Sequence, residues 1–98
     1  MIIRSTPEFD AWLSESSSWD KTQIADRFDR IREHNHFGDK KYLGDALCEL
    51  RWKNGRRIYY TIVREPDGSV ALMLLGGSKN GQERDIARAR KILGWEDA

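Results

Sequence analysis

The chain has little of what marks exported, disulfide-rich or membrane-spanning proteins. Cys48 is the single cysteine among 98 residues, which excludes an intrachain disulfide framework and a cysteine-based metal cluster. No apolar run approaches the roughly 18 residues that a membrane-spanning helix needs. The N-terminal residues lack the basic segment and apolar stretch of a secretion signal. We therefore expect a cytoplasmic protein with no membrane partner, in which Cys48 is a small buried hydrophobic residue.

Neither sign of charge dominates the chain, but the charges are unevenly placed. Seventeen Lys and Arg residues against 16 Asp and Glu residues give a net charge of +1, which argues against coating nucleic acid through bulk charge. Residues 41–64 carry six basic and two acidic side chains, whereas the first twenty residues carry one basic and four acidic ones. The middle of the chain is therefore the candidate surface for an anionic partner.

Hydrophobic residues, four tryptophans among them, make up 39% of the chain. This share is typical of an ordinary globular protein rather than a disordered one. A chain of this length supports one hydrophobic core, so we predict a single domain over residues 1–98.

The first third of the chain has the pattern of a short strand followed by two helices. Residues 1–4 predict an edge strand, and Ser5-Thr6-Pro7-Glu8 predicts a helix start with a hydroxyl cap and a first-turn proline. After the serine-rich break at residues 14–18, a second helix is predicted to begin at an Asp20 cap and to end near His34. The apolar stripes of the two helices are Phe9, Trp12 and Leu13, then Ile24, Phe28 and Ile31. Residues 34–39 are expected to be irregular.

From residue 46 onward the apolar pattern changes to a period of two, which is typical of strands. Asn54-Gly55 is the strongest short hairpin signal, and it separates two alternating segments, residues 46–52 and 58–62. Residues 70–75 predict a central strand covered on both faces, followed by a helix that Ser78 or Asn80 caps and Gly94 ends. The predicted fold is α+β, in the order β-α-α-β-β-β-α, with helices packed against an antiparallel sheet.

Cations at the predicted hairpin form the candidate binding surface. Arg51 precedes the turn and Arg57 follows it, so their side chains should lie close together across the two strands. Tyr59 shares the face of Arg57, and an aromatic ring beside guanidinium groups suits a base stacked near its phosphate. Lys79 follows Gly76-Gly77 and can reach the same edge. The alternative is that these are ordinary solvated charges on a half-exposed sheet face.

Other candidate sites are weaker. His34 and His36 have no third ligand at metal-binding spacing, so neither a metal nor another cofactor is expected. Gly76-Gly77 is too short a signal for a phosphate-binding loop and is more typical of a turn at the end of a strand.

Three segments and the residues after them carry a family resemblance: Asp45-Ala-Leu-Cys-Glu-Leu-Arg51, Arg57-Ile-Tyr-Tyr60 and Leu74-Leu-Gly-Gly-Ser-Lys79, followed by Gln82, Asp85-Ile86 and Ala89. Together they resemble the phage-derived HigB-like branch of the RelE/ParE toxins. The resemblance implies a RelE-like fold and the toxin of a type II toxin–antitoxin system, or addiction module. Such a toxin is an mRNA interferase that enters the ribosomal A site and cleaves mRNA, and its partner is a helix-turn-helix antitoxin of the HigA/Xre type.

The resemblance also implies roles for the hairpin residues. Arg51 and Arg57 would stabilise the charge that develops on the phosphate. Because arginine is a poor general base, proton transfer would fall to Lys79, to Tyr59 or to ribosomal RNA. The catalytic set is therefore Arg51, Arg57 and Lys79, and the RNA-binding set is Lys53, Arg56 and Tyr59. Glu49 either orients Arg51, acts as a base or forms an ordinary surface ion pair.

Two other functions remain open because one scaffold can serve several activities. A ParE-like protein would inhibit DNA gyrase without cutting RNA. A decayed toxin would keep only its binding to the antitoxin.

Overall fold

The computed structural model describes the backbone of residues 1–97 and the side chains of residues 1–94. The described chain is α+β, with one sheet of five strands and three α-helices. In chain order the elements are β1 (Ile2–Ser5), α1 (Pro7–Ser14), α2 (Ser18–His34), β2 (Lys40–Gly44), β3 (Leu47–Arg51), β4 (Arg56–Glu65), β5 (Gly68–Ser78), a 3-10 turn (Lys79–Gly81) and α3 (Gln82–Asp97).

The five strands form a mixed sheet in the order β1-β5-β4-β3-β2. Among the described strands only β1 runs parallel to its neighbour, β5, so the prediction of a wholly antiparallel sheet is wrong at this edge. The other neighbours are antiparallel, and β3 and β4 form the hairpin predicted from Asn54-Gly55. The strand predicted from residues 70–75 is β5, which has a neighbour on each side.

Helices cover both faces of the sheet. On one face α1 and α2 pack on Leu50, Ile58 and Tyr60 of the hairpin. On the other face α3 packs on Leu47 and Tyr59 of the same two strands. The period-two pattern therefore predicted correctly which hairpin residues share a face.

The caps at the N-terminal end were predicted in part. The Thr6 hydroxyl accepts a hydrogen bond from the backbone N–H of Phe9 at 3.1 Å, which confirms the predicted hydroxyl cap of α1 and identifies Thr6 as the capping residue. The cap of α2 is Ser17, whose hydroxyl accepts from the backbone N–H of Asp20 at 3.1 Å. The predicted Asp20 cap is therefore wrong, because Asp20 lies within the first turn and its carboxylate contacts Arg56 instead.

Two further features differ from the predictions. Lys40–Gly44 forms an edge strand that the pattern missed, because its first three residues are all exposed and show no apolar alternation. The last helix continues past Gly94 to Asp97, although a glycine inside a helix costs about 1 kcal/mol relative to alanine. The packing of Ile92 and Leu93 against the sheet favours the helical path up to that point.

The start of α3 also lies later than predicted. Ser78 precedes the 3-10 turn, and in the described part of the chain its side chain forms no capping hydrogen bond. Asn80, the other predicted cap, lies within that turn. Among residues 1–97, no helix combines the length and the apolar content that a bilayer crossing requires.

Candidate functional site

Arg51 and Arg57 lie directly opposite each other on β3 and β4. Both side chains turn to the α3 face of the sheet, where they approach one carboxylate oxygen, Glu49 Oε1. The Nε atom of Arg51 lies 3.6 Å from this oxygen and that of Arg57 lies 3.8 Å from it. These distances are ionic contacts rather than hydrogen bonds. The structure therefore brings the two predicted arginines together at one place.

Glu49 is fully buried between the two arginines and the start of α3. Its other oxygen, Oε2, accepts a hydrogen bond from Nε2 of Gln82 at 2.6 Å. A buried carboxylate persists when nearby cations and hydrogen-bond donors compensate for the water it has lost. The prediction of a surface ion pair is therefore wrong, and Glu49 is an internal anion that holds two guanidinium groups in place.

The two arginines differ in their access to solvent. The side chain of Arg51 is 40% exposed, whereas that of Arg57 is 9% exposed. Nη1 of Arg57 donates to the backbone oxygens of Trp52 at 3.1 Å and Arg56 at 2.9 Å, so it braces the hairpin turn. Arg51 is thus the arginine that can contact an external phosphate. Arg57 contributes positive charge from its largely buried position beside Arg51.

Tyr59 does not take the predicted place at the RNA surface. Its ring is fully buried in the cluster beneath α3, so it cannot stack on a base. Burial, followed by the charges of Glu49 and Asp85, raises the pKa of this phenol. Its hydroxyl has no hydrogen-bond partner among the residues that the structure describes. The period-two pattern placed Tyr59 on the correct face, but it could not show that a helix covers that face.

Arg56 is also buried, which overturns its predicted role as an RNA-binding residue. Its guanidinium group forms an ion pair with Asp20 and donates from Nη1 to Oε1 of Gln23 at 2.9 Å. These contacts tie the hairpin to α2. Sequence spacing offered no signal for them, because the partners lie 33 and 36 residues away.

Lys53 and Lys79 are exposed at the tip of the hairpin. The backbone N–H of Lys79 donates to the carbonyl oxygen of Gly55 at 2.8 Å, so the end of β5 is fastened to the turn. The aliphatic part of Lys79 lies beside Gly55, with its Cγ 3.6 Å from where a Cβ would stand. Arg51, Lys53 and Lys79 therefore form an accessible cationic edge, which we call the hairpin rim.

The glycine pair at the end of β5 admits side chains from two helices. A Cβ on Gly76 would lie 2.2 Å from the Trp12 ring, and a Cβ on Gly77 would lie 2.1 Å from Oδ2 of Asp85. Gly77 and Arg57 are partners in the β4–β5 ladder, so Asp85 lies over the strand next to the arginine pair. The predicted turn is therefore a close-contact strand segment, and it borders a polar cleft of about 540 Å³.

The remaining predicted candidates lie away from this site. His34, the last residue of α2, and His36, which follows the helix, are both exposed. Within the described residues, no three His, Cys, Asp or Glu side chains group as a metal site. Cys48 is half-buried rather than fully buried, and burial raises the pKa of its thiol.

A comparison with known proteins shows a relative of nearly full length. A Haemophilus influenzae protein of uncharacterised function is 36% identical over 95 residues, which cover 96% of this chain and 93% of the relative. The chain belongs to the same protein family. No family model matches the sequence, and no solved structure matches it.

Proposed function

We propose that the protein is the toxin of a type II toxin–antitoxin pair, an endoribonuclease that cleaves mRNA on the ribosome. The observation that carries the proposal is the convergence of Arg51 and Arg57, whose Nε atoms lie within 3.8 Å of a single carboxylate oxygen. Two permanently charged guanidinium groups at one point can stabilise the negative charge that builds up on a phosphate during cleavage. The exposed side chain of Arg51 makes that point accessible from solvent.

Two further features support this function. The sequence segments that resemble HigB-like toxins include the arginine pair, Glu49, Gln82 and the stretch that ends at Lys79. The order of elements agrees with the RelE-like order β-α-α-β-β-β-α once the short edge strand β2 is set aside. The hairpin rim adds Lys53 and Lys79 beside Arg51, which provides cations for phosphates on either side of the cleaved one.

The chemistry assigned to this site is attack of the RNA 2′-oxygen on the adjacent phosphorus, with breakage of the bond to the 5′-oxygen. Arg51 contacts the phosphate oxygens as negative charge builds up on them. Glu49 fixes the direction of the guanidinium group, and the buried charge of Arg57 balances Glu49. We assign protonation of the departing 5′-oxygen to the Lys79 ammonium. A ribosomal RNA group accepts the proton of the 2′-hydroxyl.

The partner under this proposal is a helix-turn-helix antitoxin of the HigA/Xre type. An antitoxin that covers the hairpin rim needs acidic side chains opposite Arg51, Lys53 and Lys79. Trp19, 68% exposed near the start of α2, offers an apolar contact elsewhere on the surface. We expect a neighbouring helix-turn-helix protein to copurify with this chain and to suppress its activity.

Cell-free translation tests the nuclease function. Wild-type protein should shorten a reporter mRNA only when ribosomes are present, and Arg51→Ala should cleave it about tenfold to a thousandfold more slowly. Arg64→Ala, which changes an exposed arginine on β4, is the matched control and should cleave like the wild type. Intact mRNA with wild-type protein would overturn the proposal, and loss of DNA supercoiling would then indicate a ParE-like gyrase inhibitor. Binding to the antitoxin without either effect would indicate a decayed toxin.

A further inference from the structure

One face of α3 carries a row of three exposed cations. Arg84, Arg88 and Lys91 lie at i, i+4 and i+7, so they share one side of the helix. Ala87, the residue between them on this face, is small and exposed. We propose that this row, the α3 track, binds the phosphate backbone of double-stranded RNA. The inference rests on the proposed function, because that function makes ribosomal RNA a binding partner.

The cations of the α3 track are largely without internal partners. Among the described residues, Arg88 and Lys91 take part in no ion pair and no side-chain hydrogen bond. Arg84 has one ionic contact, from its Nε to Oδ1 of Asp85 at 3.7 Å, and its side chain is still 83% exposed. The positive charge of the row is therefore available to an external anion.

The local charge is strongly positive although the net charge of the whole chain is +1. Residues 79–91 carry five basic and two acidic side chains. Of the two acids, Asp85 is buried and Glu83 lies beside the row rather than within it. Charge placed in this way attracts a polyanion to one surface without making the whole protein basic.

The α3 track follows directly from the hairpin rim. Nη2 of Arg84 lies 2.9 Å from where a Cβ of Gly81 would stand, so this guanidinium group reaches back over the 3-10 turn. That turn begins at Lys79, which belongs to the hairpin rim. A phosphate backbone on the α3 track is therefore close to the surface that the proposed function assigns to mRNA.

An acidic boundary limits the α3 track on the side of α1. Glu8 and Glu15 of α1 line a groove of about 480 Å³ that Arg88 also borders. Neither carboxylate forms an ion pair with Arg88 in the described part of the chain. Both repel phosphates, so RNA is confined to the outer side of α3.

The geometry of the row favours a duplex over a single strand. The helix holds Arg84 and Lys91 at a fixed separation of about 10 Å along its axis. The row has no aromatic ring on which an unpaired base would stack, as is usual in single-strand sites. Double-stranded RNA is recognised mainly by its shape and its phosphates. Binding by the α3 track should therefore be independent of base sequence.

Binding of an RNA duplex of about 16 base pairs to the isolated full chain tests the α3 track. Arg88→Gln combined with Lys91→Gln should weaken binding about tenfold or more at about 0.1 M salt. It should also reduce the slope of log affinity against log salt by about 2, because about one counterion is released for each phosphate contact. Fluorescence anisotropy of the labelled duplex measures both effects. No binding by the wild type, or an unchanged slope in the variant, would overturn the proposal.

Two matched variants separate the α3 track from net charge and from misfolding. Arg30→Gln combined with Arg64→Gln removes the same charge from exposed positions on α2 and β4, and it should keep the wild-type slope. Arg88→Lys combined with Lys91→Arg keeps both charges and should bind the duplex like the wild type. An equal loss of slope from the Arg30 and Arg64 changes would show that binding follows net charge, and the α3 track would be wrong.

An acidic protein surface is the alternative occupant of the α3 track. Poly-glutamate should therefore displace the labelled duplex only weakly, and a single-stranded RNA of the same length should bind less tightly than the duplex. Displacement by poly-glutamate at an equal concentration of charge, or tighter binding of the single strand, would overturn the assignment to double-stranded RNA.

The outcome is separable from the test of the nuclease function, because the duplex assay contains no ribosomes. Ribosome-dependent cleavage by the wild type, together with unchanged duplex binding by the Arg88 and Lys91 variant, would overturn the α3 track and leave the nuclease function standing. Loss of duplex binding in that variant, with no cleavage by the wild type, would support the α3 track and overturn the nuclease function.

Discussion

Gln82 Nε2 and Glu49 Oε2 lie 2.6 Å apart, so the first residue of α3 is hydrogen-bonded to a carboxylate buried on β3. The other oxygen of Glu49 faces the Nε atoms of Arg51 and Arg57. The start of α3 and the arginine pair are therefore held by the same anion. Removing its charge tests how far the stability of the protein depends on it.

Glu49→Gln should lower the free energy of unfolding by about 2–4 kcal/mol, because the largely buried Arg57 loses its internal counter-charge. The substitution keeps the size of the side chain, so lost packing does not account for the change. Urea denaturation followed by tryptophan fluorescence measures the effect. Glu83→Gln, at an exposed position on α3, is the control and should change stability by less than about 0.5 kcal/mol. Equal stability of the two variants would contradict the prediction.

Gly76→Ala should destabilise the protein by about 1–3 kcal/mol, because its new Cβ would lie 2.2 Å from the Trp12 ring and force that ring to move. Gly94→Ala has open space around its Cβ in the described residues and should be neutral or stabilising by up to about 1 kcal/mol. Thermal unfolding of the two variants measures both effects. A loss of stability from Gly94→Ala with none from Gly76→Ala would show that the contact with Trp12 does not require a glycine at position 76.

Stability should fall at alkaline pH. Burial raises the pKa values of Tyr59 and Tyr60 above the ordinary tyrosine value of 10.0, so the folded state keeps phenol protons that the unfolded chain releases. The stability that these groups contribute is fully present below about pH 10 and is lost as the pH rises further. Chemical denaturation from about pH 8 to about pH 11 measures the loss.

Tyr59→Phe separates this contribution from general alkaline unfolding. The variant should lose less stability above about pH 10, and at pH 7 it should be as stable as the wild type or up to about 1 kcal/mol more stable, because a buried hydroxyl without a partner in the described residues is removed. It should also cleave RNA as well as the wild type, because the ring is covered. An unchanged pH profile would show that Tyr59 does not contribute to the alkaline loss.

Arg56→Ala should lower the free energy of unfolding by about 1–3 kcal/mol. It removes the contacts of the hairpin with Asp20 and Gln23, and Asp20 is partly exposed, which keeps the cost moderate. Lys53→Ala changes an exposed residue three positions before the start of β4, so it should leave stability unchanged and weaken only RNA binding. Equal unfolding midpoints for the two variants would mean that Arg56 does not fasten the hairpin to α2.

Much of the local structure followed from short stretches of sequence. Thr6-Pro7 identified the start of α1, and Asn54-Gly55 identified the hairpin, because caps and tight turns depend on residues within a few positions of each other. The alternation around that turn also placed Arg51, Arg57 and Tyr59 on one face. The edge strand β2 was missed because pairing with β3, rather than an apolar pattern of its own, makes Lys40–Gly44 a strand.

Burial and long-range partners were decided by the packing of the two helical layers. Tyr59 and Arg51 share a face, yet α3 covers the first and leaves the second partly open to solvent. The hydrogen bond between Glu49 and Gln82 joins residues 33 positions apart in the sequence, and the contact between Arg56 and Asp20 joins residues 36 positions apart. Periodicity assigns a side chain to a face of its own strand, whereas its partners depend on which distant element packs on that face, and this information arises only in three dimensions.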